Sequence, residues 1–271
     1  MQHFKDAAFS LSIDLKIIDP TKLVILNETE IEYYYQGEQL QAPAYVLNWN
    51  GCMNGKLEEQ IEACLRASGT IICNSVTEIN HWQDKFKWQV ETNLPVAKSM
   101  KMHSSCLLDN LSLIEQKFDY PLVLKSDTGS LGMGVYKADN HNNLKQLVEV
   151  ISLLDKTFKV HIEQFIDYTN DLRMYIIGDQ YYLMERVATD DFRANVAQNA
   201  TINDYPKSQI TDDIFKQIRA SYEAVVIGVD VLLTTDGYII CEINSAPGFT
   251  GIEQVHNIDI AKEIITTITT N

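Results

Sequence analysis

The chain has 271 residues, of which 45% are hydrophobic and 22% are charged. These proportions are ordinary for a globular protein and argue against wholesale disorder. The formal net charge of −15 opposes contact with nucleic-acid phosphates, so we expect no nucleic-acid partner. No apolar run approaches the roughly 18 residues that a membrane helix needs, so we expect no membrane partner.

The five cysteines form no CxxC pair. An odd number of scattered cysteines is not typical of a disulfide-stabilised domain or of a zinc cluster. The first residues also lack the basic segment and unbroken apolar stretch of a secretory signal. The sequence therefore predicts a cytoplasmic protein.

The first third of the chain contains short β-forming runs with helical segments between them. Residues 22–26, 44–49 and 70–74 are predicted strands. Residues 54–68 carry apolar side chains at helical spacing, and Gly69 is a typical helix stop. The last two strands and this helix predict a small βαβ unit.

A second helix is predicted over residues 78–91. Two strands, at residues 120–126 and 133–138, are predicted on either side of a glycine-bearing turn. Residues 142–154 then show the apolar spacing of an amphipathic helix.

The last third is rich in predicted strands. These cover residues 159–166, 172–178, 180–188, 229–234 and 238–244. Turns at Gly178 and Gly237 favour antiparallel hairpins. Helices are predicted over residues 213–228 and 259–269. The pattern as a whole predicts an α+β fold with antiparallel strands prominent near the C-terminal end.

Three glycines, Gly129, Gly132 and Gly134, lie in the loop between the two central predicted strands. Without a Cβ, glycine lets backbone N–H groups approach phosphate oxygens, and Lys125 could add a positive charge there. The spacing matches neither a P-loop nor a Rossmann fingerprint. The strand–loop–strand order is closer to the phosphate-covering flap of kinases, and a simple flexible hairpin is the alternative.

Asp230 and Glu242 lie on two predicted strands joined by a short turn, and Asn244 follows Glu242 at the next position on the same strand face. Carboxylate and amide oxygens are hard ligands that suit Mg²⁺ shared with substrate phosphates. The alternative interpretation is a solvated edge hairpin.

Arg173, Arg186 and Arg193 lie on or beside predicted strands, and Asn195 follows Arg193 two residues later. Arginine binds carboxylate and phosphate through two parallel hydrogen bonds, so these residues are candidates for stabilising transferred negative charge. For any one arginine, the alternative is a surface ion pair.

Taken together, these segments resemble the ATP-grasp superfamily, and most closely its RimK-type α-L-glutamate ligases. The similar segments occur in the family's order from about residue 74 onward, and EINSAPGFTGIEQVHNIDIA (242–261) is the most specific of them. The resemblance implies two α+β subdomains that clamp ATP, preceded by a small Rossmann-like α/β domain. The implied boundaries are 1–77 for the N-terminal domain, 78–161 for the central subdomain and 162–271 for the C-terminal subdomain.

The resemblance also implies roles for single residues. Lys125 would contact the phosphates, Gln164 and Phe165 would form the adenine hinge, and Asp171 would lie near the ribose. The full implied ATP-binding set is Lys85, Lys125, Gly129, Gly132, Gly134, Glu163, Gln164, Phe165, Asp171, Arg193 and Asn195. Lys87 lies so close to Lys85 in sequence that either lysine could take the adenine-side position. The implied ligands of Mg²⁺ or Mn²⁺ are Asp230, Glu242 and Asn244, and the implied catalytic side chains are Arg193, Asn195, Arg173 and Arg186.

The activity implied by the resemblance is an ADP-forming ligation. ATP phosphorylates a carboxylate, and an amine then displaces the phosphate. The expected amine is a glutamate-like amino acid, and the expected acceptor is a protein, a peptide or a small molecule. The alternative is a non-catalytic ATP-binding module that serves a partner, and the oligomeric state stays open between monomer and homo-oligomer. A Ser–His hydrolase is not supported, because Thr128 replaces the first glycine of a GxSxG motif.

Overall fold

The computed structural model describes residues 1–49, 56–126, 134–154, 159–187 and 201–270. The helices within these ranges are α1 (Gln2–Ser10), α2 (Lys56–Ala67), α3 (Val76–Gln83), α4 (Lys85–Glu91), α5 (Leu111–Lys117), α6 (His141–Leu154), α7 (Gln209–Ser221), α8 (Thr250–His256) and α9 (Ile260–Thr270). The strands are β1 (Leu23–Asn27), β2 (Ile31–Tyr35), β3 (Glu38–Leu40), β4 (Tyr45–Leu47), β5 (Ile71–Cys73), β6 (Ser99–His103), β7 (Leu122–Ser126), β8 (Val135–Ala138), β9 (Lys159–Gln164), β10 (Asn170–Ile177), β11 (Gln180–Val187), β12 (Thr201–Asp204), β13 (Val226–Thr234) and β14 (Gly237–Asn244).

Two antiparallel sheets dominate the described part of the chain. One has the strand order β6-β9-β7-β8, and the other has the order β12-β11-β10-β13-β14. Strands β10 and β11 form the hairpin predicted at Gly178, and β13 and β14 form the one predicted at Gly237. The predicted α+β fold with prominent antiparallel strands near the C-terminal end is confirmed.

The predicted βαβ unit is formed by β4, α2 and β5, whose strands are parallel with Tyr45 opposite Ile71. Helix α2 buries Ile61 and Leu65 in a small core that includes Tyr33 of β2. No helix separates β1 from β4, contrary to expectation: this fully described stretch holds β2 and β3 instead. The β-branched and aromatic run of β2 fits a strand better than a helix. A wider Rossmann-like arrangement of this region and the domain boundaries stay predictions.

The single helix predicted over residues 78–91 is wrong, because the chain breaks at Asp84 between α3 and α4. The Asp84 carboxylate accepts a hydrogen bond from the backbone N–H of Lys87 at 3.2 Å and one from Lys101 Nζ at 2.9 Å. An aspartate that caps a helix in this way offers the backbone an alternative to continued helix. Asp84 therefore marks the boundary between two short helices.

The helix predicted over residues 213–228 is also displaced. Helix α7 begins after Ser208, whose side chain accepts from the N–H of Thr211, and it ends at Ser221. The β-branched residues from Val226 onward enter β13. Pattern analysis did not identify β2, β3, β6, β12, α1, α5 and α8.

The five-stranded sheet carries a hydrophobic core on each face. Met174 and Ile176 of β10 pack on one side with Trp82 and Trp88, while the alternate residue Tyr175 packs on the other side with α8 and α9. Burial of each large apolar side chain contributes about 1.5–3 kcal/mol. Among the residues that the structure describes, no helix combines the length and apolar character needed to cross a lipid bilayer.

Candidate active site

Strands β13 and β14 place two carboxylates opposite each other. Asp230 pairs with Glu242 in the antiparallel ladder, and a register shift beside Asp230 leaves Cys241 as an extra residue on β14. The Asn244 amide is oriented with its oxygen toward Arg173 and its nitrogen toward Glu242, and the nitrogen donates to Glu242 Oε1 over 2.9 Å. The structure therefore brings together the three residues predicted to hold a metal ion.

Two arginines of the adjacent strands reach the same carboxylate. Arg173 Nε lies 2.8 Å from Asp230 Oδ1, and Arg186 Nη1 lies 3.3 Å from Oδ2. Arg186 also forms an ion pair with Asp171, and Arg173 Nη1 donates to the Asn244 amide oxygen over 3.0 Å. The Arg173 and Arg186 side chains are 17% and 9% exposed, so the surface-ion-pair interpretation does not hold for them.

These contacts fix the charge of Asp230. Burial by itself would raise the pKa of this carboxyl, but the guanidinium groups of Arg173 and Arg186 outweigh burial and lower the pKa. Burial also disfavours the charged form of Arg186, yet Asp230 and Asp171 raise its pKa further above the ordinary value. Asp230 and Arg186 are therefore both charged at neutral pH.

A second charged cluster lies on the four-stranded sheet. Glu163 of β9 is 5% exposed and forms an ion pair with Lys125 of β7. His161 Nε2 lies 3.1 Å from Glu163 Oε1, and Gln89 Nε2 donates to the same oxygen over 3.4 Å. Burial by itself would raise the pKa of Glu163, but Lys125, His161 and Lys85 outweigh it and hold the pKa well below its usual range.

Lys85 connects the two clusters. It is the first residue of α4, and its Nζ lies 3.8 Å from Glu242 Oε2. Burial favours the neutral amine, but Glu242 and Glu163 together raise the pKa of Lys85 above its ordinary value. Lys87 is exposed. Of the two lysines that sequence could not separate, the structure brings Lys85 to the charged clusters.

The predicted adenine hinge lies at the end of β9. The backbone N–H of Gln164 donates to Lys98 O over 2.9 Å, and that of Phe165 donates to Pro121 O over 3.2 Å. Lys137 Nζ lies 4.5 Å from the centre of the Phe165 ring. Because both N–H groups already have acceptors, adenine contact through these residues stays a prediction.

Five of the predicted site residues lie on the glycine-bearing loop or on the segment that follows β11. Gly129, Gly132, Arg193 and Asn195 lie outside the described residues. Gly134 is described and has a φ of 77°, a conformation that glycine adopts without strain. The roles implied for these five residues stay predictions.

Sequence reasoning missed Asn74, which ties β5 to the candidate site. Its side chain donates to Val226 O over 2.7 Å and to Ser245 O over 2.9 Å, and it accepts from Val226 N over 3.1 Å. Asn74 has a φ of 58°, which asparagine tolerates better than most residues. The available signal was an asparagine directly after a strand and before the Ser75 helix cap.

The donor set of Asp230, Glu242 and Asn244 fits a magnesium ion that is shared with phosphates. It offers two carboxylates and an amide, and hard oxygen donors are those that Mg²⁺ prefers. In the described ranges, no group of three or more His, Cys, Asp or Glu side chains could hold a metal ion by itself. The remaining ligands would have to come from a nucleotide or from water.

Comparison with known proteins identifies related chains. The chain is 25% identical to a "Probable alpha-L-glutamate ligase" of Pasteurella multocida (strain Pm70), over 97% of this chain and 88% of the relative. It is 27% identical to a protein of the same name from Coxiella burnetii (strain Dugway 5J108-111), over 100% of this chain and 91% of the relative.

Solved structures share the fold. The ATP-grasp ligase PsnB, complexed with a phosphomimetic variant of its minimal precursor, Mg and ADP, has a TM-score of 0.71 at 17% identity, covering 99% of this chain and 93% of PsnB. The macrocyclase MdnC of Microcystis aeruginosa MRC, bound with precursor peptide MdnA, has a TM-score of 0.68 at 14% identity, covering 100% of this chain and 95% of MdnC.

A family model described as "RimK-like ATP-grasp domain" matches residues 90–268. That match spans more than half of the chain and contains both charged clusters apart from Lys85 and Gln89. The chain therefore belongs to the RimK-like ATP-grasp family.

Proposed function

We propose that this protein is an ADP-forming carboxylate–amine ligase that works through an acyl phosphate. Family membership supports the general class, ATP-dependent ligation of a carboxylate to an amine. The observation that carries the proposal is the opposition of Asp230 and Glu242, with Asn244 and Lys85 in contact with Glu242. This is the arrangement of oxygen donors and cations that phosphoryl transfer needs.

The chemistry consists of two displacements. A carboxylate oxygen of the substrate attacks the γ-phosphorus of ATP, the bond to the bridging oxygen breaks, and ADP leaves. The amine nitrogen then attacks the acyl carbon, phosphate leaves, and the amine loses a proton to solvent. Bound Mg²⁺ would neutralise phosphate charge in this site, held by Asp230, Glu242 and Asn244.

The cations of the site have separate proposed tasks. Lys125 and Lys85 bind the nucleotide, and their contacts with Glu163 and Glu242 keep them oriented. Arg173 and Arg186 hold Asp230 and present guanidinium donors beside it, where negative charge develops during transfer.

The proposed amine substrate is an amino acid of the glutamate type, because the curated relatives are named as probable α-L-glutamate ligases. The proposed acceptor is a carboxylate on a protein, a peptide or a small molecule. PsnB and MdnC were each solved with a precursor peptide, which supports a peptide acceptor as the first to be tried.

The test measures phosphate release from Mg²⁺·ATP with pooled amino acids and pooled carboxylate acceptors, comparing wild type with Glu242→Gln. In parallel reactions, hydroxylamine replaces the amine, because it converts an acyl phosphate to a stable hydroxamate. We expect phosphate and hydroxamate that depend on an acceptor and on Glu242. ATP binding without either product, in pools that include peptides, would favour a non-catalytic ATP-binding module.

A further inference from the structure

Gly228 on β13 occupies a position where no side chain fits. An ideal Cβ built there would lie 2.5 Å from Pro247 Cβ and 2.7 Å from Arg173 Nη1. Both distances are shorter than any ordinary van der Waals contact. Gly228 is not among the described glycines with a positive φ, so its backbone does not require glycine. Glycine is required at this position because Pro247 and Arg173 leave no space for a side chain.

The guanidinium that fills this space joins two of the proposed metal ligands. Arg173 Nε lies 2.8 Å from Asp230 Oδ1, and its Nη1 donates to the Asn244 amide oxygen over 3.0 Å. Asp230 and Asn244 lie on different strands, and Gly228 pairs with Asn244 in the ladder between those strands. The nitrogen that a Cβ would strike is therefore the one that holds Asn244.

Pro247 closes the other side of the space. Tyr175 donates from its hydroxyl to Pro247 O over 3.3 Å, and Tyr175 also pairs with Gly228 across the β10–β13 ladder. Pro247 is thus held from the strand on which Arg173 lies. A methyl group on residue 228 could be accommodated only if Arg173 or the Pro247 loop moved.

We propose that Gly228 is a positioning residue: it leaves room for the Arg173 guanidinium, which holds Asp230 and Asn244 in the arrangement that receives Mg²⁺ with ATP. This inference rests on the proposed function. A planar guanidinium presents donors in fixed directions, so it can hold two acceptors at once, and a lysine ammonium at the same place cannot reproduce that geometry. Displacing one nitrogen by a methyl group releases Asn244 first.

The experiment compares Gly228→Ala with Gly248→Ala. A Cβ at Gly248 would meet no atom within 4 Å among the described residues, and Gly248 lies in the same loop as Pro247, so this variant is the matched control. Isothermal titration calorimetry measures binding of the ATP analogue AMPPNP in the presence of EDTA. A separate titration without EDTA measures binding of Mg²⁺ to the AMPPNP-saturated protein. The metal-free measurement reports general damage to the nucleotide site.

We expect Gly228→Ala to weaken Mg²⁺ binding by about 10-fold, the loss of roughly one charge-assisted hydrogen bond. AMPPNP binding without metal should stay within about 2-fold, and Gly248→Ala should match wild type within about 2-fold in both titrations. Unchanged Mg²⁺ affinity in folded Gly228→Ala overturns the inference. A wild type that binds AMPPNP but shows no Mg²⁺ binding overturns the proposed metal site itself.

A double-mutant cycle with Arg173→Ala separates the arginine from the proline. If Gly228 acts through Arg173, then Arg173→Ala loses about 10-fold in Mg²⁺ affinity, and adding Gly228→Ala costs less than about 2-fold more. An equal loss in both backgrounds assigns the effect to Pro247 and overturns the inference. If Gly228→Ala does not fold, Arg173→Ala and Arg173→Lys still test the inference. Wild-type Mg²⁺ affinity in either arginine variant would overturn the inference.

Discussion

Asp230 and Glu242 face each other across one ladder of the sheet, but their surroundings differ sharply. The Asp230 side chain is 13% exposed and both of its oxygens contact guanidinium groups, whereas Glu242 is 47% exposed and has the Lys85 ammonium 3.8 Å away. Asp230 thus helps to hold neighbouring strands of the sheet together as well as forming part of the site. Glu242 contributes mainly to the site. Mutations at these positions should separate stability from activity.

Removing the charge of Asp230 should cost both stability and turnover. Asp230→Asn leaves Arg173 and Arg186 without their shared anion, and breaking such a buried pair costs about 3–5 kcal/mol of unfolding free energy. Glu242→Gln should change that free energy by less than about 1 kcal/mol, because Glu242 is half exposed. Both variants should lose at least about 100-fold in phosphate release.

Urea unfolding gives the free energies for this pair, and the phosphate assay gives the rates. A Glu242→Gln protein as unstable as Asp230→Asn would contradict the division between the two carboxylates. Full turnover in Glu242→Gln would remove that residue from the proposed metal site.

Lys85 and Lys87 provide a matched test of nucleotide binding. Lys85→Met should weaken AMPPNP binding about 10-fold or more, since a hydrogen bond to a charged group contributes about 1.5–3 kcal/mol. Lys87→Met removes the same charge from an exposed position on the same helix and should change affinity by less than about 2-fold. Calorimetric titration measures both, and equal losses would mean that overall charge, not position, decides binding.

The charge of Glu163 should make stability depend on acidity. Its folded pKa lies below the ordinary value of 4.5, so the folded state binds fewer protons than the unfolded state at pH values just below 4.5. Its contribution to stability is therefore fully present above pH 4.5 and is lost as the pH falls toward the folded pKa. Glu163→Gln should cost about 3 kcal/mol at pH 7 and progressively less as the pH falls below 4.5.

Urea unfolding at neutral and acidic pH tests this expectation for Glu163. The control is Asp139→Asn, which breaks an ion pair between Asp139, 57% exposed, and Lys137. That control should lose less than about 1 kcal/mol. A Glu163→Gln penalty that does not shrink in acid would show that packing, rather than charge, accounts for the loss.

Asn74 combines a hydrogen-bonded bridge with a left-handed backbone, and two substitutions can separate them. Asn74→Ala should lose about 3–4 kcal/mol, because the Val226 and Ser245 backbone groups lose buried partners and alanine adopts a positive φ poorly. Asn74→Gly should recover about 1 kcal/mol of that loss, since glycine tolerates the conformation.

Urea unfolding gives the unfolding free energies of the Asn74 variants. Asn257 has a φ of 52°, and its exposed side chain bridges no strands among the described residues. Asn257→Ala therefore reports the backbone cost by itself, about 1 kcal/mol. If Asn74→Ala costs no more than this control, the bridge contributes nothing to stability.

Local pattern was enough to predict the main hairpins of the five-stranded sheet. The turns at Gly178 and Gly237 lie between β-forming runs, and a hairpin's pairing follows from its own turn and alternation. The opposition of Asp230 and Glu242 was predictable for the same reason. Where a local signal was weak, prediction was wrong: one aspartate cap splits the helix at Asp84, and no pattern indicated β12.

By itself, the sequence determined the α+β class, the proposed metal ligands and the candidacy of Lys125, because each depends on residue type and short spacing. The family and the candidacy of Lys85 followed from the resemblance of the chain to known ligases. Only the tertiary structure decided which lysine reaches Glu242, which arginines share Asp230, and why residue 228 must be glycine. Those contacts join residues from separate strands and helices, and they are set by how the two sheets and α4 pack. No local pattern encodes a distance between side chains that are far apart along the chain.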